Sequence, residues 1–157
     1  MFFKGTAHNP ASQNASGPTA DLADLSGREI SSTRLQCPLL MDHNQERVLG
    51  DVFTSWQGQR GELRVSGIVR DEAAAQKIRK GEMRGLSLGT EVVLDDGGRK
   101  LHSRQNELSL CEVPRRPGCW IDHIDGQSVL VQSCASKRGA VVLVSLSVHN
   151  PLQRAIA

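Results

Sequence analysis

The sequence has no tyrosine and few other aromatic residues, with two tryptophans and three phenylalanines among 157 residues. An aromatic surface on which single-stranded nucleic acid could stack is therefore not expected. An excess of charge of one sign is also missing, because 19 basic and 17 acidic residues are interleaved and leave a net charge of +2. Since a basic patch is the usual footprint of a nucleic-acid-binding protein, we expect no nucleic-acid partner.

Long apolar segments and secretory signals are missing as well. No apolar run approaches the roughly 20 residues that a helix needs to cross a bilayer. The start, MFFK, has neither the basic region nor the apolar stretch of a secretory signal. We therefore expect no membrane partner and an intracellular setting.

Closely paired cysteines are absent from the sequence. Structural zinc sites use closely spaced ligands, so we expect no metal site, and no motif indicates a cofactor. With no secretory signal, reduced and buried thiols are the expectation for the four cysteines. These are Cys37, Cys111, Cys119 and Cys134.

The length and the composition indicate one domain over residues 1–157, with 38% hydrophobic residues to build its core. Residues 9–27 are rich in Pro, Gly, Ser and Asn and predict a long surface loop. Residues 150–157, which begin with Asn150-Pro151, predict a short C-terminal tail.

Short β-patterned segments separated by turn residues fill most of the chain. Strands are predicted over residues 1–8, 37–43, 47–56, 62–70 and 84–94, followed by a turn at DDGG and by RKLHSRQ, NELSLCEV, CWIDHI, SVLVQS and GAVVLVSLSV. Gly50 indicates a bulge in its strand. The run DEAAAQKIRK predicts a helix, with Asp71 as the N-cap and Gly81 as the stop. This pattern predicts a mainly β protein, a largely antiparallel closed β-barrel with one or a few helices.

Ser87, which stands between two leucines in GLSLG, is the first candidate for chemistry. Most serines in strands are only polar-face residues, and a serine becomes a nucleophile when a base and an orienting group lie beside it. Among five histidines, His43 ends the apolar segment PLLMDH. The sheet could fix its backbone there and leave the ring in a cleft, although a solvated turn histidine is the alternative.

Arg115 and Arg116 follow a predicted strand in NELSLCEVPRRPG. They are either two solvated surface arginines or an oxyanion site. In the second case one residue supplies a backbone N–H and the other a guanidinium that holds a water molecule.

These three segments, in this order, resemble the herpesvirus capsid maturation proteases (assemblins) and their relatives, the prohead proteases of tailed phages. PLLMDH and VLGDV are similar to the family's histidine segment, and GLSLG to its nucleophile motif Gly-Leu-Ser-Leu-Ser, which phage relatives end with glycine. Leu110-Cys111 and Arg115-Arg116 are similar to its last motif, although Pro114 replaces a glycine. The resemblance covers about residues 37–118. It implies that Ser87 is the nucleophile, His43 its base, and Arg115 and Arg116 the oxyanion site.

The third member of the site is Glu107 by this resemblance. The family's third histidine falls on Glu107, and ELSL copies the Glu-x-Ser-Leu strand of phage prohead proteases. His102, five residues earlier, is the competing residue. Alternation along the strand separates Glu107 from Leu108 and Leu110, so we expect the acid to face away from the core and toward His43.

The resemblance implies a serine endopeptidase that cleaves the internal scaffold protein of a viral procapsid and releases itself from a precursor by cutting after Ala. Two Ala-containing places fit such a cut, Ala135-Ser136 and the Ala-Ile-Ala157 end. The scaffold protein and the precursor would be its partners. The family's C-terminal helices imply a homodimer, although the residues after Arg116 read mostly as strand.

The resemblance also implies a place and leaves two alternatives for the function. The place is the host cell, in the nucleus within assembling procapsids, or in the cytoplasm for a phage protein. A phage-type prohead protease is one alternative. A non-catalytic β-barrel module of a capsid or scaffold, whose serine and histidine are incidental, is the other.

Overall fold

The computed structural model describes residues 1–10, 30 and 33–129 of the chain. Its elements are β1 (Phe2–His8), β2 (Cys37–Met41), β3 (Asn44–Gln57), β4 (Leu63–Val69), α1 (Glu72–Lys80), β5 (Gly85–Leu94), β6 (Lys100–Cys111), β7 (Ile121–Ile124) and β8 (Gln127–Ser128). These elements, mainly β-strands with the helix α1, agree with the mainly β class that the sequence predicted. Several predicted features lie outside the described residues: residues 11–27 of the predicted loop, the strand SVLVQS after Val129, the strand GAVVLVSLSV, Cys134, Ala135-Ser136 and the tail 150–157.

The eight strands of the described residues belong to one sheet, in the order β5-β6-β2-β3-β4-β1-β7-β8. Neighbouring strands run antiparallel, except β2 and β6, which run parallel. The described strands form an open half-barrel rather than the closed barrel that the sequence predicted. The start of β5 approaches the segment before β7, and in the described residues one isolated bridge, between Gly85 and Trp120, joins the two. One bridge does not join β5 and β7 along their length.

One face of the sheet packs against the hydrophobic core. Burying such side chains supplies about 1.5–3 kcal/mol each, which is the main favourable contribution to folding. The core side chains with no exposed surface include Leu39, Leu63, Val65, Ile78, Leu108, Leu110 and Ile121. Within the described ranges, no helix has the length and apolar character needed to span a bilayer.

Helix α1 begins and ends where the sequence predicted. The Asp71 side chain accepts a hydrogen bond from the Ala74 N–H at 2.8 Å, and Gly81 adopts the left-handed conformation at the C-terminal end. The guanidinium of Arg84 donates to the carbonyls of Ile78 and Arg79, at 2.8 and 3.1 Å. Arg84 therefore ties the end of the helix to the start of β5, and burial lowers its pKa.

The bulge expected near Gly50 is present between β2 and β3. Leu39 pairs with Gly50 and Leu40 with Val48, so Leu49 is the extra residue. A Cβ on Gly50 would lie 1.9 Å from the Ile68 carbonyl oxygen of β4. Glycine is needed here because the backbones of β3 and β4 approach closely.

Gly50→Ala should lower the free energy of unfolding by about 3 kcal/mol, because backbone atoms leave no room for the methyl group. The matched control is Gly97→Ala in the exposed β5–β6 turn, where the nearest atom, a carboxylate oxygen of Asp95, lies at 3.3 Å. The control should change stability by no more than about 0.5 kcal/mol. Urea unfolding of both variants measures the difference, and equal effects would contradict the steric explanation.

Candidate active site

His43 lies in the two-residue turn between β2 and β3. Asp42 and His43 have φ of 46° and 60°, and Met41 pairs with Asn44 across the turn. Two positive φ values define the type I′ turn that suits the twist of a hairpin. The sequence predicted that the strand would reach His43, but β2 ends at Met41. A non-glycine residue held in this conformation costs about 1–3 kcal/mol, so the surroundings must hold it there.

Strand β6 holds the turn in place. The Asp42 N–H donates to the Leu110 carbonyl at 3.1 Å, and the His43 N–H donates to Ser109 Oγ at 2.9 Å. Ser109 is fully buried. Both N–H groups of the turn are therefore satisfied by β6, and the histidine backbone is fixed against the strand that carries Glu107.

Strand β5 brings Ser87 to the same face of β6. In the antiparallel ladder Ser87 pairs with Ser109 and Gly89 pairs with Glu107. Paired residues share a face of the sheet, and so do residues two apart on one strand. The nucleophile candidate and the acid candidate thus lie on one face, opposite the leucines that fill the core.

One line of hydrogen bonds joins the three predicted site residues. His43 Nε2 lies 3.0 Å from Ser87 Oγ, and His43 Nδ1 forms a short hydrogen bond with Glu107 Oε1. An ionised carboxylate only accepts hydrogen bonds, so the Nδ1 atom carries the proton and Nε2 is left to accept from the serine hydroxyl. The His43 side chain is 43% exposed, so a substrate can reach it.

Glu107 is buried, and both of its carboxylate oxygens have partners. Its Oε1 atom meets His43, and its Oε2 atom accepts from Gln45 Nε2 at 2.5 Å. The sequence predicted that the acid would face His43, and it does, but only 6% of the residue is exposed. Sequence reasoning missed Gln45, because a polar residue just after a turn reads as ordinary solvated surface.

His102 lies far along the same hairpin. It pairs with Val93, six residues beyond Ser87 on β5. At about 3.3 Å per residue, this places its backbone roughly 20 Å along the strand from Ser87. Its side chain lies outside the described part of the structure.

Cys37, at the start of β2, is a thiol whose pKa the charge of Glu107 affects. Burial raises the pKa of Cys37 to about 11, a hydrogen bond with the Leu108 backbone opposes that shift, and the charge of Glu107 adds to it. At neutral pH Cys37 is therefore a neutral thiol and a poor nucleophile. Within the described residues, Cys37, Cys111 and Cys119 form no disulfide.

The arginine pair lies in the loop between β6 and β7. This loop passes the start of β5, because the Leu86 N–H donates to the Cys119 carbonyl at 2.9 Å and Gly85 packs against Pro114. Arg115 is exposed, whereas only 6% of Arg116 is exposed. The loop that carries both arginines is thus fastened to β5 within two residues of Ser87.

A second line of hydrogen bonds joins a serine, a histidine and an acid elsewhere on the sheet. Ser128 Oγ lies 3.2 Å from His123 Nε2, and His123 Nδ1 lies 2.7 Å from Asp122 Oδ1. Both oxygens of Asp122 also accept from Arg64, at 2.5 and 2.9 Å. Because Arg64 neutralises the acid and Ser128 belongs to a two-residue edge strand, we interpret this group as a structural link between β4 and the β7–β8 hairpin.

The sequence matches no family model and no curated protein. The fold matches a solved structure of KSHV protease in complex with a hexapeptide phosphonate inhibitor, with a TM-score of 0.52. The two sequences are 16% identical, and the match covers 76% of this chain and 63% of the KSHV protease chain, less than two thirds of its length. The likeness shows that the two proteins share a fold.

Proposed function

We propose that this protein is a serine endopeptidase in which Ser87 is the nucleophile, His43 the base and Glu107 the charged partner of the base. The observation that carries the proposal is the unbroken line of contacts from Ser87 Oγ through both nitrogens of His43 to Glu107. A nucleophile, a base and a group that orients the base are the parts that covalent hydrolysis requires. Glu107 lies on β6, Ser87 lies on β5, and His43 lies in the turn that β6 holds through Leu110 and Ser109.

In the proposed reaction Ser87 Oγ attacks the carbonyl carbon of the scissile bond while His43 Nε2 takes the hydroxyl proton. The tetrahedral intermediate collapses when His43 gives that proton to the leaving amine, and an acyl-serine remains. Water then attacks the acyl carbon with His43 again as base, which releases the acid and restores Ser87. Glu107 stays ionised throughout and stabilises the imidazolium of each intermediate.

Arg115 and Arg116 are the proposed source of oxyanion stabilisation. Their loop is tied to β5 beside Gly85 and Leu86, the two residues before Ser87. In this proposal the backbone N–H of Arg115 donates toward the developing charge, and the guanidinium of Arg116 holds a water molecule there. The burial of Arg116 favours this assignment, because a fixed donor stabilises a developing charge better than a mobile one.

The proposed substrate is the internal scaffold protein of a viral procapsid, and a precursor of the enzyme itself, cut after Ala. The resemblance in motif order supports this choice, and the solved KSHV protease carries a peptide inhibitor. The proposed setting is an assembling procapsid in the host nucleus. A homodimer belongs to the same proposal.

A prohead protease of the phage type is the second candidate, with the host cytoplasm as its setting. The specific observation that favours it is the carboxylate on His43, since the resemblance places an acid at this position in phage relatives and a histidine in assemblins. Both candidates use the same chemistry at Ser87. They differ in the virus that supplies the scaffold.

Ser87→Ala should abolish cleavage of the precursor and labelling by a fluorophosphonate, because the variant lacks the hydroxyl that the proposal assigns to the acyl-enzyme. The matched control is Ser128→Ala, which removes a serine that also contacts a histidine. Labelling should be unchanged in the control. Labelling that persists in Ser87→Ala and disappears in Ser128→Ala would overturn the assignment, and no labelling of the wild type would favour a non-catalytic module.

Glu107→Gln should lower kcat by about 10⁴-fold, because the amide keeps the shape but loses the charge that stabilises the imidazolium. His102→Ala should leave kcat unchanged, because its backbone lies far along the hairpin from Ser87. Steady-state kinetics on a peptide with an Ala-Ser bond measures both variants. If Glu107→Gln leaves kcat unchanged and His102→Ala lowers it, His102 and not Glu107 is the partner of His43.

Arg116→Ala should lower kcat by about 10²–10³-fold with little change in KM, the usual cost of losing one oxyanion donor. Arg115→Ala is the matched control, because only the backbone of Arg115 is assigned a role and its side chain is exposed. Thermal unfolding checks that both variants fold, and Arg116→Lys, which keeps the charge, should retain part of kcat. A change in KM alone would instead make Arg116 a substrate-binding residue.

A further inference from the structure

Gly89 occupies the space beside the acid of the proposed site. It pairs directly with Glu107 across the β5–β6 ladder. A Cβ atom on Gly89 would lie 2.1 Å from Glu107 Cγ, 2.6 Å from Cδ and 2.4 Å from Oε1. Contacts this short do not occur between real atoms. The Glu107 side chain therefore occupies the space that a side chain at position 89 would need.

Space, and not backbone conformation, explains why glycine is needed here. Gly89 lies inside β5 and has no positive φ, so an alanine could adopt its backbone conformation. Paired side chains on one face of a sheet normally stand beside each other. Glu107 instead lies over Gly89, with Oε1 on His43.

We propose that Gly89 is a positioning residue that acts through Glu107 on His43. The inference rests on the proposed function, because it assigns Gly89 a part in the same site. Any side chain at position 89 moves Glu107 to another rotamer, since the collision involves its Cγ atom and not only the end of the side chain. The carboxylate then leaves His43 Nδ1, and the base loses both its orientation and its charged partner.

Gln45 completes the fixation of the acid from the other side. It donates to Oε2 at 2.5 Å, while Oε1 meets His43. Glu107 fills the space over Gly89 and is held by the Gln45 amide. These two contacts fix the position of the buried carboxylate. Glycine destabilises a strand relative to alanine, and at position 89 it allows the orientation of Glu107.

Gly89→Ala tests the inference in the full chain by two measurements. The first is the proton NMR signal of His43 Nδ1–H, which lies strongly downfield in a hydrogen bond to a carboxylate and is assigned by its loss in His43→Ala. Gly89→Ala should lose this signal. The matched control is Gly58→Ala, where a Cβ would lie 2.2 Å from a carboxylate oxygen of Glu62 in the β3–β4 turn, and it should keep the signal.

The second measurement is a double-mutant cycle with Glu107→Gln. If Gly89 acts only through the acid, Gly89→Ala should lower kcat about as much as Glu107→Gln, with KM little changed. The double variant should then be no more than about twofold below Glu107→Gln alone. Losses that multiply would show an independent role and overturn the inference.

The two readouts separate this inference from the proposed function. The NMR signal needs no turnover, so an inactive wild type would contradict the proposed function and still leave the role of Gly89 measurable. If Gly89→Ala does not fold, the double variant with Glu107→Ala should restore the fold, because alanine has no Cγ to collide. An unchanged signal in Gly89→Ala, or a double variant that stays unfolded, would overturn the inference.

Discussion

The arrangement of the candidate site depends on one constraint, the sharing of β6 between two neighbours. Strand β5 pairs with β6 in the antiparallel direction and β2 pairs with it in the parallel direction, so the strand that carries Ser87 and the turn that carries His43 flank the strand that carries Glu107. Alternation along β6 puts Glu107 and Ser109 on one face and Leu108 and Leu110 on the other. The leucines are fully buried and set the register of the sheet. The same register therefore brings the three polar groups together, because a slip of one residue would turn the acid into the core.

The backbone of the turn at Asp42 and His43 is strained, and this strain is what places the histidine in the site. Two non-glycine residues with positive φ are unfavourable, yet both of their N–H groups are held by β6, one by the Leu110 carbonyl and one by the Ser109 hydroxyl. A histidine in a regular strand would point straight out of the sheet. In the turn, its ring lies across the end of the hairpin and spans the distance from Glu107 on β6 to Ser87 on β5.

Local signals in the sequence predicted most of the fold, and long-range geometry accounts for what they did not. The caps of α1, the β-strand patterns and the Gly50 bulge are visible in short windows, because each depends on a few neighbouring residues. Closure of a barrel depends on strands far apart in sequence, and in the described residues β5 is joined to the segment before β7 by one isolated bridge, between Gly85 and Trp120. The candidate residues Ser87, His43 and Glu107 came from motif order. Gly89 ends the same motif, but its role and that of Gln45 were not predicted, because these roles depend on what lies across the sheet and not on neighbours in the chain.

The two serine-histidine-acid groups on this sheet show that hydrogen-bond distances alone do not define a nucleophilic site. In both groups the serine lies within about 3.2 Å of a histidine whose other nitrogen meets a carboxylate. The difference lies in what else the acid contacts. Both oxygens of Asp122 face the guanidinium of Arg64, which offsets the charge that an imidazolium would need. The second oxygen of Glu107 faces the neutral amide of Gln45, so the full negative charge remains available to His43. A neutral partner fixes the carboxylate without competing with the histidine for its charge, and this distinguishes the Ser87 group from the Ser128 group.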